Sequence, residues 1–205
     1  MKDYYRRFQI PNYEQIQKEL IACIKHDYMA RSDTHSWVYQ VFDVLGQCPS
    51  LEQFIVPRLK NKYTGFIQQV KFYCTPPNQQ LDYHIDGYRV KVPFGMNLPL
   101  LNTEGTHQIW YHCPPENLAD PNLNVGKSRN EGGFLNAVYT PKDPDAMTVL
   151  EKLELTTPAI CKTDIMHNVV NPTDKTRLIV VLRWNLFDAF YSEAEDVIDL
   201  SDCWI

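Results

Sequence analysis

Residues 66–74 read FIQQVKFYC and run into Thr75-Pro76-Pro77, and this stretch decides the fold class. β-branched and aromatic residues dominate it, which favours a pleated, half-buried strand, and two prolines cannot continue a ladder, so a turn closes it. Working outward from it, the same signature recurs at residues 83–92, 96–101, 108–113, 133–139, 152–155, 159–161, 167–170 and 177–184. Short strands at 8–12-residue spacing, separated by Pro, Asn and Gly, predict a mainly β chain folded as a sandwich or jelly roll.

Upstream of this stretch the period changes to that of helices. Asn12-Tyr13-Glu14-Gln15 reads as a capping box, and Ile16, Leu20, Ile24 and Tyr28 recur every four residues as an amphipathic stripe. A second helix is expected to carry Trp37, Val41, Val44 and Leu45 and to stop at Gly46. Ser50-Leu51-Glu52-Gln53 reads as the cap of a short helix before Pro57. The expected organisation is one domain. Residues 1–62 form a helical support, 63–185 a β core with an insertion at about 102–152, and 186–205 an acidic tail. The segment from Pro114 to Asp145, rich in Asn, Pro, Gly and Lys, reads as a lid or binding loop.

Composition narrows the function classes. Among 205 residues, 44% are hydrophobic and 22% charged, the balance of a globular domain rather than a disordered or fibrous one. The net charge of −5, with no basic stripe, argues against nucleic acid as a direct ligand. No apolar run approaches the ~18 residues of a membrane span, and the start MKDYYRRFQI lacks the apolar region of a signal peptide. Six cysteines, widely spaced, form neither a disulfide framework nor a C-x-x-C metal pattern, so the expected setting is cytoplasmic with reduced thiols.

Chemistry is expected from a few side chains. His26, following the first helix stripe, fits a surface or capping role, and His35, near a helix start, a structural one. His107 and His112, five apart on one strand, point to opposite faces and cannot share an ion. His84 and Asp86 are two apart, so on a strand they project together, as two parts of a facial metal triad. Alone the motif is weak, since about 0.4 such tripeptides arise by chance at this composition. Weight comes from His167, on a strand-like segment, and from Arg177 ten residues on, opening RLIVVLRW. Turn residues Asn171 to Asp174 predict that the two strands pair antiparallel, bringing Arg177 near the strand of His167. Arg177 shares a face with Ile179 and Val181, so its guanidinium points inward and needs an anion, either an internal carboxylate or a bound dicarboxylate.

This combination resembles the signature of the Fe(II)- and 2-oxoglutarate-dependent oxygenases. The segment GFIQQVKFYCTPPNQQLDYHIDG, followed by MNLPLLN, is more specifically similar to the aspartyl/asparaginyl β-hydroxylase branch, over residues 63–185. That branch's characterised vertebrate member lacks the triad carboxylate, whereas this chain keeps Asp86, and residues 105–155 fall outside the likeness. The resemblance implies a double-stranded β-helix (jelly roll, cupin-like) with His84, Asp86 and His167 as metal ligands and catalytic residues. It implies Fe(II), 2-oxoglutarate as small-molecule cosubstrate and dioxygen. Arg177 would bind the far carboxylate of 2-oxoglutarate, with Asn97 and Tyr73 facing the cosubstrate. The reaction implied is hydroxylation of a C–H bond in a peptide side chain or small molecule, with decarboxylation of 2-oxoglutarate to succinate. Neutral His84 and His167 are required to bind metal, so activity should fall in acid. Arg183 shares the parity of Arg177 but lies ~20 Å along the strand, outside the expected cosubstrate site. Trp110 and Tyr111 fit either the core or a substrate pocket. The alternatives are a cupin-like metalloenzyme that does not use 2-oxoglutarate and a non-catalytic jelly-roll binding module.

Overall fold

The computed structural model describes residues 4–41, 43–60, 67–86, 94–119, 140–184 and 194–205. In chain order the elements are β1 (Tyr5–Arg7), α1 (Tyr13–Ala22), α2 (His26–Ala30), β2 (Trp37–Val41), α3 (Val44–Gln47) and α4 (Pro49–Ile55). There follow β3 (Ile67–Thr75), β4 (Gln79–Gln80), β5 (Phe94–Leu101), β6 (His107–His112), β7 (Thr148–Glu154), β8 (Ala159–Lys162), β9 (His167–Asn171) and β10 (Arg177–Trp184). The described strands form a large sheet, β1-β8-β5-β10-β3-β2, and a small one, β4-β9-β6-β7, antiparallel throughout. From β3 onward the chain crosses repeatedly between the two sheets, which is the winding of a jelly roll.

Strand periodicity sorts the side chains into two cores. On the outer face of the large sheet, Phe72, Met96, Leu98, Val180 and Leu182 are buried against Ile16 and Leu20 of α1 and Leu51 and Ile55 of α4. The inner face packs Ala159, Cys161, Ile179 and Val181 against Trp110 and Leu153 of the small sheet. Lys71, Tyr73 and Thr75 alternate with Phe72 and Cys74, and register with Val181, Ile179 and Arg177, so they belong to this inner face. The outer face of the small sheet is covered around Ile109, Tyr111 and Met166. No helix among the described residues is long and apolar enough to cross a membrane. All six cysteines are free thiols.

Several expectations are corrected. Trp37–Val41 is a strand on the edge of the large sheet, not a helix. Its alternation buries Trp37 and Val41 against the outer core, and this period of two prevails over the four-residue spacing. The helix beyond it is only α3, and Gly46 lies inside it, receiving the Asp43 cap through its N–H. Asn12 adopts the left-handed conformation (φ 54°) and its side chain caps nothing, while Gln15 Nε2 donates to Glu19 Oε1 instead. Ser50 is not a cap either, because α4 starts at Pro49 and the Ser50 N–H and Oγ both donate to Glu19.

The strands of His167 and Arg177 do not pair. β9 lies in the small sheet and β10 in the large one. The reason is Asn171, buried, whose Nδ2 donates to the carbonyls of Thr75, Pro76 and Lys175 and so carries the turn across the sandwich. Residues 102–152 are not an insertion as a whole, since they hold β6 and most of β7, two of the small sheet's four described strands. The expected strand at 133–139, the second half of the one at 83–92 and the middle of the expected lid lie outside the described residues. The tail contributes more than charge, for Val197, Ile198 and Leu200 are buried in the outer core.

Candidate metal centre

Beyond β4 the chain continues antiparallel along β9. The Leu81 N–H donates to the Val169 carbonyl, and His84 and His167 exchange both backbone hydrogen bonds at 2.9 Å. This pairing sets the two imidazoles side by side, with ring centroids 4.4 Å apart. Asp86 follows in a bend fixed by its N–H to the Thr163 carbonyl, and its carboxylate turns toward both rings.

Each imidazole is oriented by its own local backbone. His84 Nδ1 lies 2.7 Å from the Asp82 carbonyl and His167 Nδ1 2.8 Å from the Ile165 carbonyl. A carbonyl only accepts, so each Nδ1 carries the proton, and in the neutral ring each Nε2 presents a bare lone pair. His84 Nε2 is 4.0 Å from Asp86 Oδ1 and His167 Nε2 3.9 Å from Asp86 Oδ2, too far for hydrogen bonds. The three ligand atoms lie within 4.8 Å of one another. Three acceptors converging with no proton between them repel unless a cation sits among them, and Nδ1–H bonded to a carbonyl is the usual support of a metal-binding histidine. The donor set, two nitrogens and one oxygen on one side, suits a divalent transition metal with open positions opposite.

The electrostatics agree with that geometry. Burial raises the Asp86 carboxyl, but the Arg183 guanidinium and then the two imidazoles outweigh it and hold the group well below the ordinary carboxylate range. Burial and the neighbouring His84 push His167 down to about 4, so its lone pair stays available in mild acid. Arg183 Nη2 donates to Asp86 Oδ2 at 2.5 Å, and Arg183 also bonds the Tyr73 hydroxyl. Lys71, 1% exposed, stands one register step from Tyr73 and feels both Arg183 and Asp86. Tyr73 is thereby placed on the inner face, engaged with Arg183. Sequence reasoning missed Lys71 and set Arg183 aside. The parity shared by Lys71 and Tyr73 on one strand, and by Arg177 and Arg183 on the next, was the available signal.

Arg177 is 0% exposed on the inner face, its Nε donating to Thr106 Oγ1 at 3.1 Å. Among the described residues its Nη1 and Nη2 have no partner, nor has the hydroxyl of its register partner Thr75. Burial alone pulls the guanidinium down, to about 10. Asn171 fastens the end of β9 to Thr75, so Arg177 lies four residues of β9, ~13 Å of strand, from His167. Asn97 is buried on the same face, its Nδ2 donating to Gln108 Oε1 and its Oδ1 unpartnered among the described residues. Trp110, the register partner of His167, is core, with Nε1 donating to the Lys162 carbonyl, and Tyr111 faces outward to Asn168.

No protein-family model matches the chain, and no curated protein matches it. Among solved structures it is similar to a prolyl-4-hydroxylase from Pseudomonas putida, at 11% identity over 88% of this chain and 90% of that one, TM-score 0.47. It is similar to SnoK, a non-heme alpha-ketoglutarate-dependent carbocyclase from nogalamycin biosynthesis, at 10% identity over 89% and 79%, TM-score 0.46. A third is EvdO2 from Micromonospora carbonacea complexed with 2-oxoglutarate, at 10% identity over 72% and 66%, TM-score 0.36.

Proposed function

We propose that the chain is an Fe(II)- and 2-oxoglutarate-dependent oxygenase that hydroxylates a C–H bond. The observation that carries this reading is a pair of sites of complementary charge on the inward-facing side of the sandwich. At one point three lone-pair donors meet without a proton, and at another a buried guanidinium offers two Nη groups to nothing among the described residues. The first fits a divalent cation and the second a carboxylate. A five-carbon keto diacid reaching from Arg177 toward the metal joins the two.

In this reading His84, Asp86 and His167 hold the iron through Nε2, a carboxylate oxygen and Nε2. The Asp82 and Ile165 carbonyls keep both imidazoles in the metal-binding tautomer. Arg177 grips the far carboxylate of 2-oxoglutarate with its planar fork, with Thr75 beside it. Asn97 and Tyr73 line the way between. When bound, iron with 2-oxoglutarate and dioxygen supplies the oxidising power for C–H hydroxylation, yielding succinate and carbon dioxide. The deep, closed setting of Arg177 keeps water from its anion and strengthens the ion pair. A cupin that does not use 2-oxoglutarate leaves the two Nη groups unexplained.

The test is calorimetric titration of 2-oxoglutarate into the manganese-loaded protein, manganese being a redox-quiet substitute for iron. Arg177→Lys loses the planar fork and Arg177→Met the charge, and each should lower 2-oxoglutarate affinity 30- to 1000-fold, about 2–4 kcal/mol. Manganese binding should survive in both. Unchanged 2-oxoglutarate binding in both variants, with lowered melting temperatures, would make Arg177 a structural residue and sink the reading.

A further inference from the structure

The charged side chains that are buried among the described residues are all cations: Lys71, Arg177 and Arg183, with no Asp or Glu buried to the same degree. The carboxylate that Lys71 and Arg183 face is Asp86, whose Oδ2 is already engaged by Arg183, whereas Arg177 stands apart from it. A buried ammonium is costly without a counter-charge, so this excess is a structural demand for anions. The proposed cosubstrate meets part of it. Its far carboxylate answers Arg177, and its near carboxylate offsets half the charge of a divalent metal, while Asp86 offsets the other half. Lys71 and Arg183, both on the metal side, then share the single Asp86 carboxylate with the metal, and no Asp or Glu among the described residues is buried to their degree. The Lys71 ammonium is buried and lies close enough to feel both the Arg183 guanidinium and the Asp86 carboxylate.

This end of the lane is also the one that meets solvent. The side chains of His84 and Asp86 are 24% and 15% exposed, whereas Arg177 is closed off completely. A second ligand can therefore approach beside the metal, on the flank where Lys71 and Arg183 stand.

Resting on the oxygenase reading, we propose that the hydroxylated substrate is itself an anion, and that Lys71, backed by Arg183, binds its carboxylate or phosphate group and thereby selects it. Lys71 suits this task as a compact point charge, able to meet either anion without a fixed fork geometry. A residue kept for binding rather than stability leaves a stability cost in the unliganded protein. Replacing it by an apolar side chain of similar length removes an uncompensated buried charge and raises the melting temperature, the reverse of what a structural lysine does.

The experiment uses zinc-loaded protein with saturating 2-oxoglutarate and ligand-observed magnetic resonance. The probes are 3-phenylpropanoate, its neutral amide and phenyl phosphate. The wild type should bind one or both anions at least tenfold more tightly than the amide, and which of the two it prefers separates a carboxylate from a phosphate substrate. Lys71→Met should lose that preference and melt a few degrees higher, with zinc affinity not weakened, while Lys71→Arg should keep most of the preference. Equal binding of acids and amide, or no binding of any probe, by the wild type overturns the proposal. So does an unchanged preference or a lowered melting temperature in Lys71→Met. Loss of 2-oxoglutarate rather than probe binding in Lys71→Met overturns it too, by moving Lys71 into the cosubstrate site. Failure of the wild type to bind zinc and 2-oxoglutarate at all is the distinct failure of the oxygenase reading, and takes this proposal with it.

Discussion

His167 is held as a neutral imidazole by its surroundings, and this has a measurable pH signature in the metal-free protein. Its pKa falls from the ordinary 6.5 to about 4, through burial first and His84 second. The unfolded chain therefore binds a proton that the folded chain refuses, and stability rises with pH between these values. At 1.36 kcal/mol per pH unit, acidification from pH 6.5 to 4 should remove about 3 kcal/mol. Chemical denaturation of the chelator-treated wild type should show this fall, and His167→Gln should lack most of it. Equal slopes in the two proteins would place the imidazole in a solvated environment. The His84–Asp86 pair was legible in the sequence as a two-residue spacing, although Asp86 lies in a bend rather than on a strand, while its meeting with His167 comes from long-range backbone pairing. The Arg183–Asp86 contact was not, because Asp86 sits in a bend beyond a turn, and where that bend lands on the opposite sheet is set by nonlocal pairing.

The elements that place the site are β9, β10 and the turn between them. Residues 177–184 were legible as a strand with Arg177 inward, and alternation put Ile179 and Val181 on the inner face as read. That β9 and β10 occupy different sheets was not legible, since a turn-rich link suits a hairpin and a sheet crossing equally. The deciding group is one side chain, Asn171. Its buried amide donates to three carbonyls, and it is this clasp that sets Arg177 opposite the end of β9. Asn171→Ala should cost about 2–4 kcal/mol, since it strands buried acceptors rather than merely deleting a bond. Urea unfolding of the variant checks this, and a loss below about 0.5 kcal/mol would show that the crossing is held elsewhere. The helical side misled for a related reason. Trp37 and Val41 satisfy both a four-residue and a two-residue period, and the open edge of β3 decided between them.

At the scale of the whole molecule, the jelly roll separates its two jobs by face. Helices α1 and α4 close the outer face of the large sheet with an apolar core, while the inner face, between the sheets, carries the polar and cationic side chains. Such an interior is costly without counter-charges, which the proposed metal and cosubstrate would supply. The spacing of strand-like segments and turn residues made the mainly β class legible, but not the sheet order, which depends on contacts far apart in sequence. The central claim is that metal and 2-oxoglutarate share one site, and their binding must then be coupled, each strengthening the other by the same factor. The most direct measurement is calorimetric titration of 2-oxoglutarate into wild-type protein with and without manganese. At least tenfold tighter binding with the metal present, matched by the same gain in manganese affinity with 2-oxoglutarate present, is the predicted result. Equal 2-oxoglutarate binding in the two titrations, or none in either, would contradict it.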